Sequence, residues 1–427
     1  MNMKIPISHI ATIILLLTAS LGNLAAQHVK TGIDVLEENG FEQVRGKRIG
    51  LVTNPTGVDR YLNSTVDVLF NAPDVELVAL FGPEHGVRGN AHAGEHVAGQ
   101  AVDSRTGVPI FSLYGKSRMP SASQLEGLDA IVYDIQDIGC RSYTYISTMG
   151  NVMKVAAMED VEMIILDRPN PLGGLRVEGP GVDDSLISFV GQYNIPYVYG
   201  LTCGELAMLL NEEGMLKVTG SRGQDSTVRC RLTVVRMEGW TRGMSWDDTG
   251  LMWVPTSPHI PTPEAAYFYP ATGILGELGC LSTGIGYTLP FGMIACEDMD
   301  ADLLASRMNV LYLPGLLFRP VYATPFYGSL KGKELGGVQI YITDFKTARL
   351  SEIQFYAVQV IAGIRPEFNP FNVPAQRLEM FDKVTGSKAV RMEFSKRLRY
   401  EDIFHLWNDF AEKFQKMSQK YYLYGIN

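Results

Sequence analysis

From Arg48 onward the apolar residues fall in short consecutive runs. RIGLVT, VELVALFG, VPIFSLYG, LDAIVYDIQD and VEMIILDRPN each place apolar residues at successive positions, not only at alternate ones. A strand patterned in this way is covered on both faces, as in a parallel sheet sandwiched by helices. Between the fourth and fifth runs lies TYISTMGNVMKVAAMED, with Ile146, Met149, Val152, Met153 and Ala156 near helical spacing. Strands alternating with such helices predict an α/β fold, a Rossmann-like, doubly wound, mostly parallel sheet.

The pattern changes at WVPTSPHIPTPEAAYFYP, residues 253–270, where prolines fix many φ angles and predict an extended crossover. Beyond it come the glycine-rich GELGCLSTGIGYTLPFG, a strand in GGVQIYITD and a helix in SEIQFYAVQVIAGI. The division expected is a leader over residues 1–26, a Rossmann-like domain over 27–253, and a smaller α/β (α+β) domain over 254–427. A chain of 427 residues, 46% hydrophobic and 19% charged, is long enough for two cores.

The first 26 residues carry Lys4, an apolar run from about Ile10 to Thr18, and small residues at Ala25 and Ala26. That is the layout of a secretory signal peptide cleaved after Ala26, which predicts a periplasmic or secreted protein with no membrane span in the mature chain. The formal net charge is −9, and no run of Lys or Arg is long enough to follow phosphates, so nucleic acid is not an expected partner. Cys140, Cys203, Cys230, Cys280 and Cys296 form no CxxC pair, which argues against a zinc knuckle or a disulfide scaffold. The oligomeric state is not legible.

In doubly wound sheets ligands gather outside the carboxyl ends of the strands. Here those ends carry Thr53 and Asn54, then Glu84 and His85, then Asp134, Gln136 and Asp137, then Asp167, Arg168 and Asn170. Together they predict one assembled pocket. GLVTNPTGVD follows the first strand where a nucleotide-binding GxGxxG would stand, so no nucleotide and no other cofactor is expected. Glu84 sits between Gly82 and Gly86, which permit close approach to a ligand, and a carboxyl group beside apolar surface suits general acid catalysis. His85, His92 and His96, with Glu84 and Glu95, are zinc-ligand types, but their spacing follows no HExxH pattern and no metal is expected.

Further along, Arg141, Tyr143 and Tyr145 follow Asp137 with the makings of a site for a polyhydroxylated acidic substrate, since Arg grips carboxylates with paired hydrogen bonds. An Asp137–Arg141 ion pair bracing the turn is the structural alternative. Asp167, Arg168, Asn170 and Glu178 lie in LDRPNPLGGLRVEGP, a rigid proline turn, where a carboxylate could partner Glu84. Thr202 and Glu205 in YGLTCGEL read as a helix capping box. His259, on the proline-rich crossover, is a candidate for substrate binding, and Trp253, Tyr267, Phe268 and Tyr269 suit either a sugar ring or a domain interface.

Taken in order, FGPEHGVRG, DIQDIGCRSYTYISTM, DRPNPLGGLRVEGP, LTCGEL and PTSPHIPTPEAAYFYPATG resemble the exo-β-N-acetylmuramidase family, formerly catalogued as a domain of unknown function. The resemblance spans nearly the whole chain after the leader. It implies removal of N-acetylmuramic acid from the non-reducing end of peptidoglycan fragments, hence a peptidoglycan-derived saccharide as partner and a role in cell-wall turnover. By the same resemblance Glu84 takes the catalytic acid role. Asp134, Gln136, Asp137 and Arg141 match a DxQDxGxR element, and Asp167, Arg168, Asn170 and Glu178 match the DRPNP and VEGP elements. After the crossover, Glu277, Ser282, Gly284 and Gly286 keep the family pattern, whereas Cys280, Ile285 and Leu289 stand where an Asn and two arginines are expected.

The expectation is an exported glycosidase with Glu84 as acid and a second group among Asp134, Asp137 and Asp167. Its rivals are a sugar-binding protein without turnover and a metal-assisted hydrolase using the three histidines.

Overall fold

A computed structural model describes residues 29–84, 86–89, 101–115, 117–220 and 223–426. The expected leader, together with His85, His92 and His96, lies outside the described residues.

The first lobe is built on a seven-stranded sheet. Its strands are β1 (Arg48–Thr53), β2 (Glu76–Gly82), β3 (Ala101–Val102), β4 (Pro109–Ser112), β5 (Ala130–Asp134), β6 (Glu162–Leu166) and β9 (Leu232–Val235), and a separate two-stranded ribbon joins β7 (Lys217–Thr219) to β8 (Asp225–Thr227). The order across the sheet is β3-β4-β2-β1-β5-β6-β9, and every pair is parallel except the short β3 with β4. The chain winds outward from β1 to β4 and then crosses back to β5, so the direction of winding reverses between β1 and β5, as in doubly wound dinucleotide folds. Four of the five predicted runs are near-continuously buried: β1 from Ile49 on, β2 in its second half, all of β5, and β6 from Met163 on. Helix Tyr145–Met158 buries the predicted stripe of Ile146, Met149, Val152, Met153 and Ala156 against β5 and β6.

The second lobe is α+β. Strands β10 (Met293–Glu297), β11 (Leu316–Ala323) and β12 (Leu335–Ile342) form an antiparallel sheet in the order β10-β12-β11, covered by helices Ala301–Val310 and Ile353–Ile364.

The crossover departs from the extended reading at its second half. From Pro263 the chain is helical through Gly276. Proline at the first helical position is favourable, because its fixed φ is helical and its missing N–H needs no partner there. Thr262 caps this end, accepting from the Ala265 N–H at 3.4 Å. Pro270, inside the helix, is accommodated within the core.

The chain also returns to the first lobe at its end. Ala411, Phe414 and Tyr421 pack into the cluster that holds Ile195, Tyr199 and Leu206. Across this seam Arg176 donates to the carbonyls of Phe345 and Ala348, and Glu178 accepts from the N–H and hydroxyl of Ser351 at 2.8 and 2.7 Å. The lobes therefore share polar anchors as well as apolar surface.

Candidate active site

Strand β2 carries Leu80 and Phe81 into the core and releases the chain at Gly82, where an added Cβ would stand 3.0 Å from the Val87 nitrogen. The Gly86 N–H donates to the Pro83 carbonyl at 3.0 Å, and Gly86 has φ +74°, the left-handed region that glycine enters without steric cost. This turn presents Glu84, half-buried, to a cleft of about 270 Å³. Ser142, Tyr143, Tyr145, Ser257, His259 and Tyr269 share that cleft with it. Tyr114 stands beside Glu84, and burial together with the neighbouring carboxylate pushes its phenol above the ordinary range.

His259, Tyr269 and Phe291 also line a second chamber of about 310 Å³, whose carboxyl group is Glu277. Glu277 caps the C-terminal end of helix Pro263–Gly276, and burial raises its pKa against the opposing pull of Arg377. The chambers are joined by a network of hydroxyls and rings. Tyr143 donates to the Thr256 hydroxyl at 2.8 Å, the Ser142 and Tyr269 hydroxyls are 3.1 Å apart, and His259 Nε2 lies 2.8 Å from the Tyr327 hydroxyl. Tyr143 and Tyr269 meet edge to face at 5.7 Å. The cleft thus takes Glu84 and Tyr143 from the first lobe, His259 from the crossover, and Glu277 and Tyr327 from the second. Hydroxyls, aromatic edges and two carboxyl groups around a concave space suit a polyhydroxylated ligand and acid/base work on it.

Of the remaining strand-end residues Asn54 reaches the edge of this cleft, beside the Tyr145 hydroxyl, and the others do not converge on it. Asp134 is fully buried and accepts from Arg168 Nε and Nη2 at 2.5 and 2.8 Å, and from the Thr65 hydroxyl at 2.5 Å. Asp167 accepts from the hydroxyls of Tyr424 and Thr202 at 2.6 and 2.7 Å and from the Gly204 N–H at 2.8 Å, while burial lifts its pKa to about 6. Asp137 accepts from Tyr199 and from the Gly139 N–H; burial raises its pKa to about 7, with those two donors opposing. The expected single pocket is replaced by buried networks: Asp134 and Asp167 have donors on both oxygens, whereas Asp137 has them on Oδ2 alone, and burial accordingly favours its protonated form.

Arg141 forms no ion pair with Asp137. Its guanidinium is held by the carbonyls of Pro180, Ile195, Val384 and Thr385. Asn170 braces its own turn, donating to the Leu201 carbonyl and accepting from the Leu172 N–H, both at 2.9 Å. Gln136 donates to the carbonyls of Asp137 and Pro169, and Asn54 accepts from Thr56. Glu178 serves the seam between the lobes. Thr202 and Glu205 do form the predicted capping box, and Glu205 also pairs with the fully buried Arg242 at 2.6 Å.

Tyr114, Ser142, Ser257, Phe291 and Tyr327 belong to the cleft and were not singled out by sequence. Ser142 lay within the RSYTY run and was within reach, whereas Tyr327 meets His259 across 68 residues, with no local signal. Among the described residues no group of three or more His, Cys, Asp or Glu is placed to hold a metal, and all five cysteines are unpaired.

Relatives place this geometry in context. The chain is 40% identical over 396 residues to the peptidoglycan beta-N-acetylmuramidase NamZ of Bacillus subtilis, covering 93% of this chain and 91% of that one. A solved DUF1343 family protein of Bacteroides fragilis is 53% identical with a TM-score of 0.87, and a second from the same organism is 28% identical with a TM-score of 0.74. Each spans 93% of this chain and 99% of its own. With models of the N-terminal and C-terminal domains of exo-beta-N-acetylmuramidase NamZ matching residues 49–264 and 267–424, the chain belongs to the NamZ family of glycoside hydrolases.

Proposed function

We propose that this protein is an exported exo-β-N-acetylmuramidase that releases N-acetylmuramic acid from the non-reducing end of peptidoglycan fragments during cell-wall turnover. The observation that carries the reading is Glu84, held on a tight turn in a hydroxyl-lined cleft of a chain 40% identical to a peptidoglycan muramidase. Glu84 protonates the glycosidic oxygen as the bond to the anomeric carbon breaks. Water supplies the hydroxyl that ends on that carbon, and its remaining proton leaves with the base. Glu277 is the other carboxyl group of the cleft among the described residues and takes the place of Asp134, Asp137 and Asp167 as the partner, since those three are engaged by buried donors away from the cleft. The leader-like first 26 residues support export.

The test compares two substrates that differ in their need for an acid. A sugar leaving group must be protonated, whereas nitrophenolate leaves readily without help. On a muramic acid–β-1,4–glucosamine disaccharide, both N-acetylated, Glu84→Gln is expected to lose roughly 10²- to 10⁴-fold in rate. On 4-nitrophenyl β-N-acetylmuramide the loss is expected to be much smaller. Equal losses on both would assign Glu84 another role. Saturable binding of the muramide with no product from folded wild type would replace the hydrolase by a binding protein.

A further inference from the structure

An acidic sugar needs a counter-charge, and among the described residues the walls of the cleft supply none. Both chambers contribute carboxyl groups, and among the described residues lining them there is no Lys or Arg. Ile285, one of the two positions where the family pattern has arginine, lines the second chamber as a hydrocarbon. Among the described residues the cations nearest the cleft stand at its rim.

Two arginines stand close by. Arg377 packs over Gly279, donates to the Glu277 carbonyl at 3.4 Å, and its charge is set against the Glu277 carboxyl. Arg118 is differently placed. Its guanidinium carbon lies 4.2 Å above the ring of Phe189, and Phe189 directly precedes Val190, which lines the Glu84 chamber. Both ends of this stack are anchored to helix Tyr145–Met158: Asn151 donates to the Arg118 carbonyl at 3.1 Å, and Ser147 donates to the Phe189 carbonyl at 2.8 Å. The Arg118 charge also acts on Tyr114, the phenol beside Glu84. The side chain is exposed, and among the described residues no carboxylate pairs with it. A guanidinium stacked on an aromatic face keeps its N–H edges free and gives up little freedom on binding a carboxylate.

We propose that Arg118 is the specificity-determining residue that receives the lactyl carboxylate of muramic acid at the rim of the Glu84 chamber. The assignment rests on the muramidase reading. It adds the feature by which the cleft tells muramic acid from glucosamine, which lacks the lactyl group.

The experiment measures kcat/KM for 4-nitrophenyl β-N-acetylmuramide and for its lactyl methyl ester, which keeps the shape and removes the charge. A charge-assisted hydrogen bond predicts a wild-type preference for the acid of roughly tenfold to a hundredfold, carried mainly by KM. In Arg118→Ala the acid and the ester are expected to converge to a ratio near one, and Arg118→Lys is expected to recover part of the preference. The wild-type preference should hold steady between pH 6 and 8, since guanidinium stays charged, whereas an imidazole partner would titrate there. A preference that persists in Arg118→Ala, or none in wild type, overturns the proposal while leaving the muramidase reading intact. Failure of folded wild type to cleave either compound overturns both. Arg118→Lys keeps the charge and the bulk, so it answers the question if the alanine variant fails to fold.

Discussion

Arg141 offers the sharpest division between substrate binding and architecture. It is 1% exposed, and its two terminal nitrogens reach four carbonyls, at 2.7 Å on Pro180, 2.5 Å on Ile195, 3.2 Å on Val384 and 2.7 Å on Thr385. These acceptors come from two segments of the first lobe and from the end of helix Ala375–Thr385 in the second. Burial lowers its pKa to about 10, so the charge survives at neutral pH, but only because the carbonyls replace water. Arg141→Ala leaves four buried acceptors without donors at about 1–3 kcal/mol each, partly relieved by water entering the vacated space. A net loss of about 4 kcal/mol follows. At about 2.1 cal/mol/K per residue, a chain of 427 residues has an unfolding entropy near 0.9 kcal/mol/K, which converts that loss to a Tm lower by about 4–5 °C. Differential scanning calorimetry reads the shift, and steady-state kinetics on the muramide provide the contrast. Gly386→Ala should weaken the same clamp, because its Cβ would stand 2.4 Å from Arg141 Nη2 at φ +86°. If Arg141→Ala melts with wild type and instead raises KM, the reasoning is wrong and Arg141 binds substrate.

Asp137 should leave a signature in the pH dependence of stability. Its folded pKa of about 7 lies above the unfolded value near 3.9, so the folded state keeps a proton that the unfolded chain releases. Stability then falls as pH rises from about 4 to 7 and levels off above. Asp137→Asn is expected to flatten this slope in urea titrations at pH 5 and 8, and an unchanged slope would locate the titration elsewhere. Tyr424→Phe removes the 2.6 Å hydrogen bond to Asp167 and the acceptor for the Met237 N–H, and should cost about 1–3 kcal/mol by urea midpoint. Gly150→Ala improves helix propensity by up to about 1 kcal/mol, but its Cβ would lie 1.7 Å from the Tyr193 hydroxyl. Overpacking costs about 1–3 kcal/mol, so the variant should be less stable, with the double variant Gly150→Ala, Tyr193→Phe recovering part of the loss.

Local pattern carried much of the fold. Runs such as LDAIVYD and VEMIIL announce strands covered on both faces, because consecutive apolar residues on a period-two element leave no face for water. The stripe from Ile146 to Ala156 announced a helix, and Thr202 with Glu205 announced its neighbour's cap, since each signal is contained within a turn or two of chain. The position of Glu84 was legible for the same reason: a carboxyl group framed by glycines at a strand end is a local arrangement. The proline-rich crossover misled at its second half, because Pro263 stiffens an extended chain and begins a helix equally well, and Thr262 and the packing beneath decided between them.

Strand ends rich in Asp, Arg and Asn look alike in sequence whether they face a ligand or each other. Only the tertiary structure shows Asp134 consumed by Arg168 and Thr65, Asp167 by Thr202 and Tyr424, and Arg141 by carbonyls from both lobes. It also brings Glu84 into one cleft with His259 and sets Tyr327 against His259 from the second lobe. Side-chain chemistry and, outside the crossover, element type are properties of short stretches, so the sequence by itself determined them. Which polar groups are left to meet a substrate depends on which donors and acceptors the folded chain has already paired in its interior, and only the tertiary structure decided that.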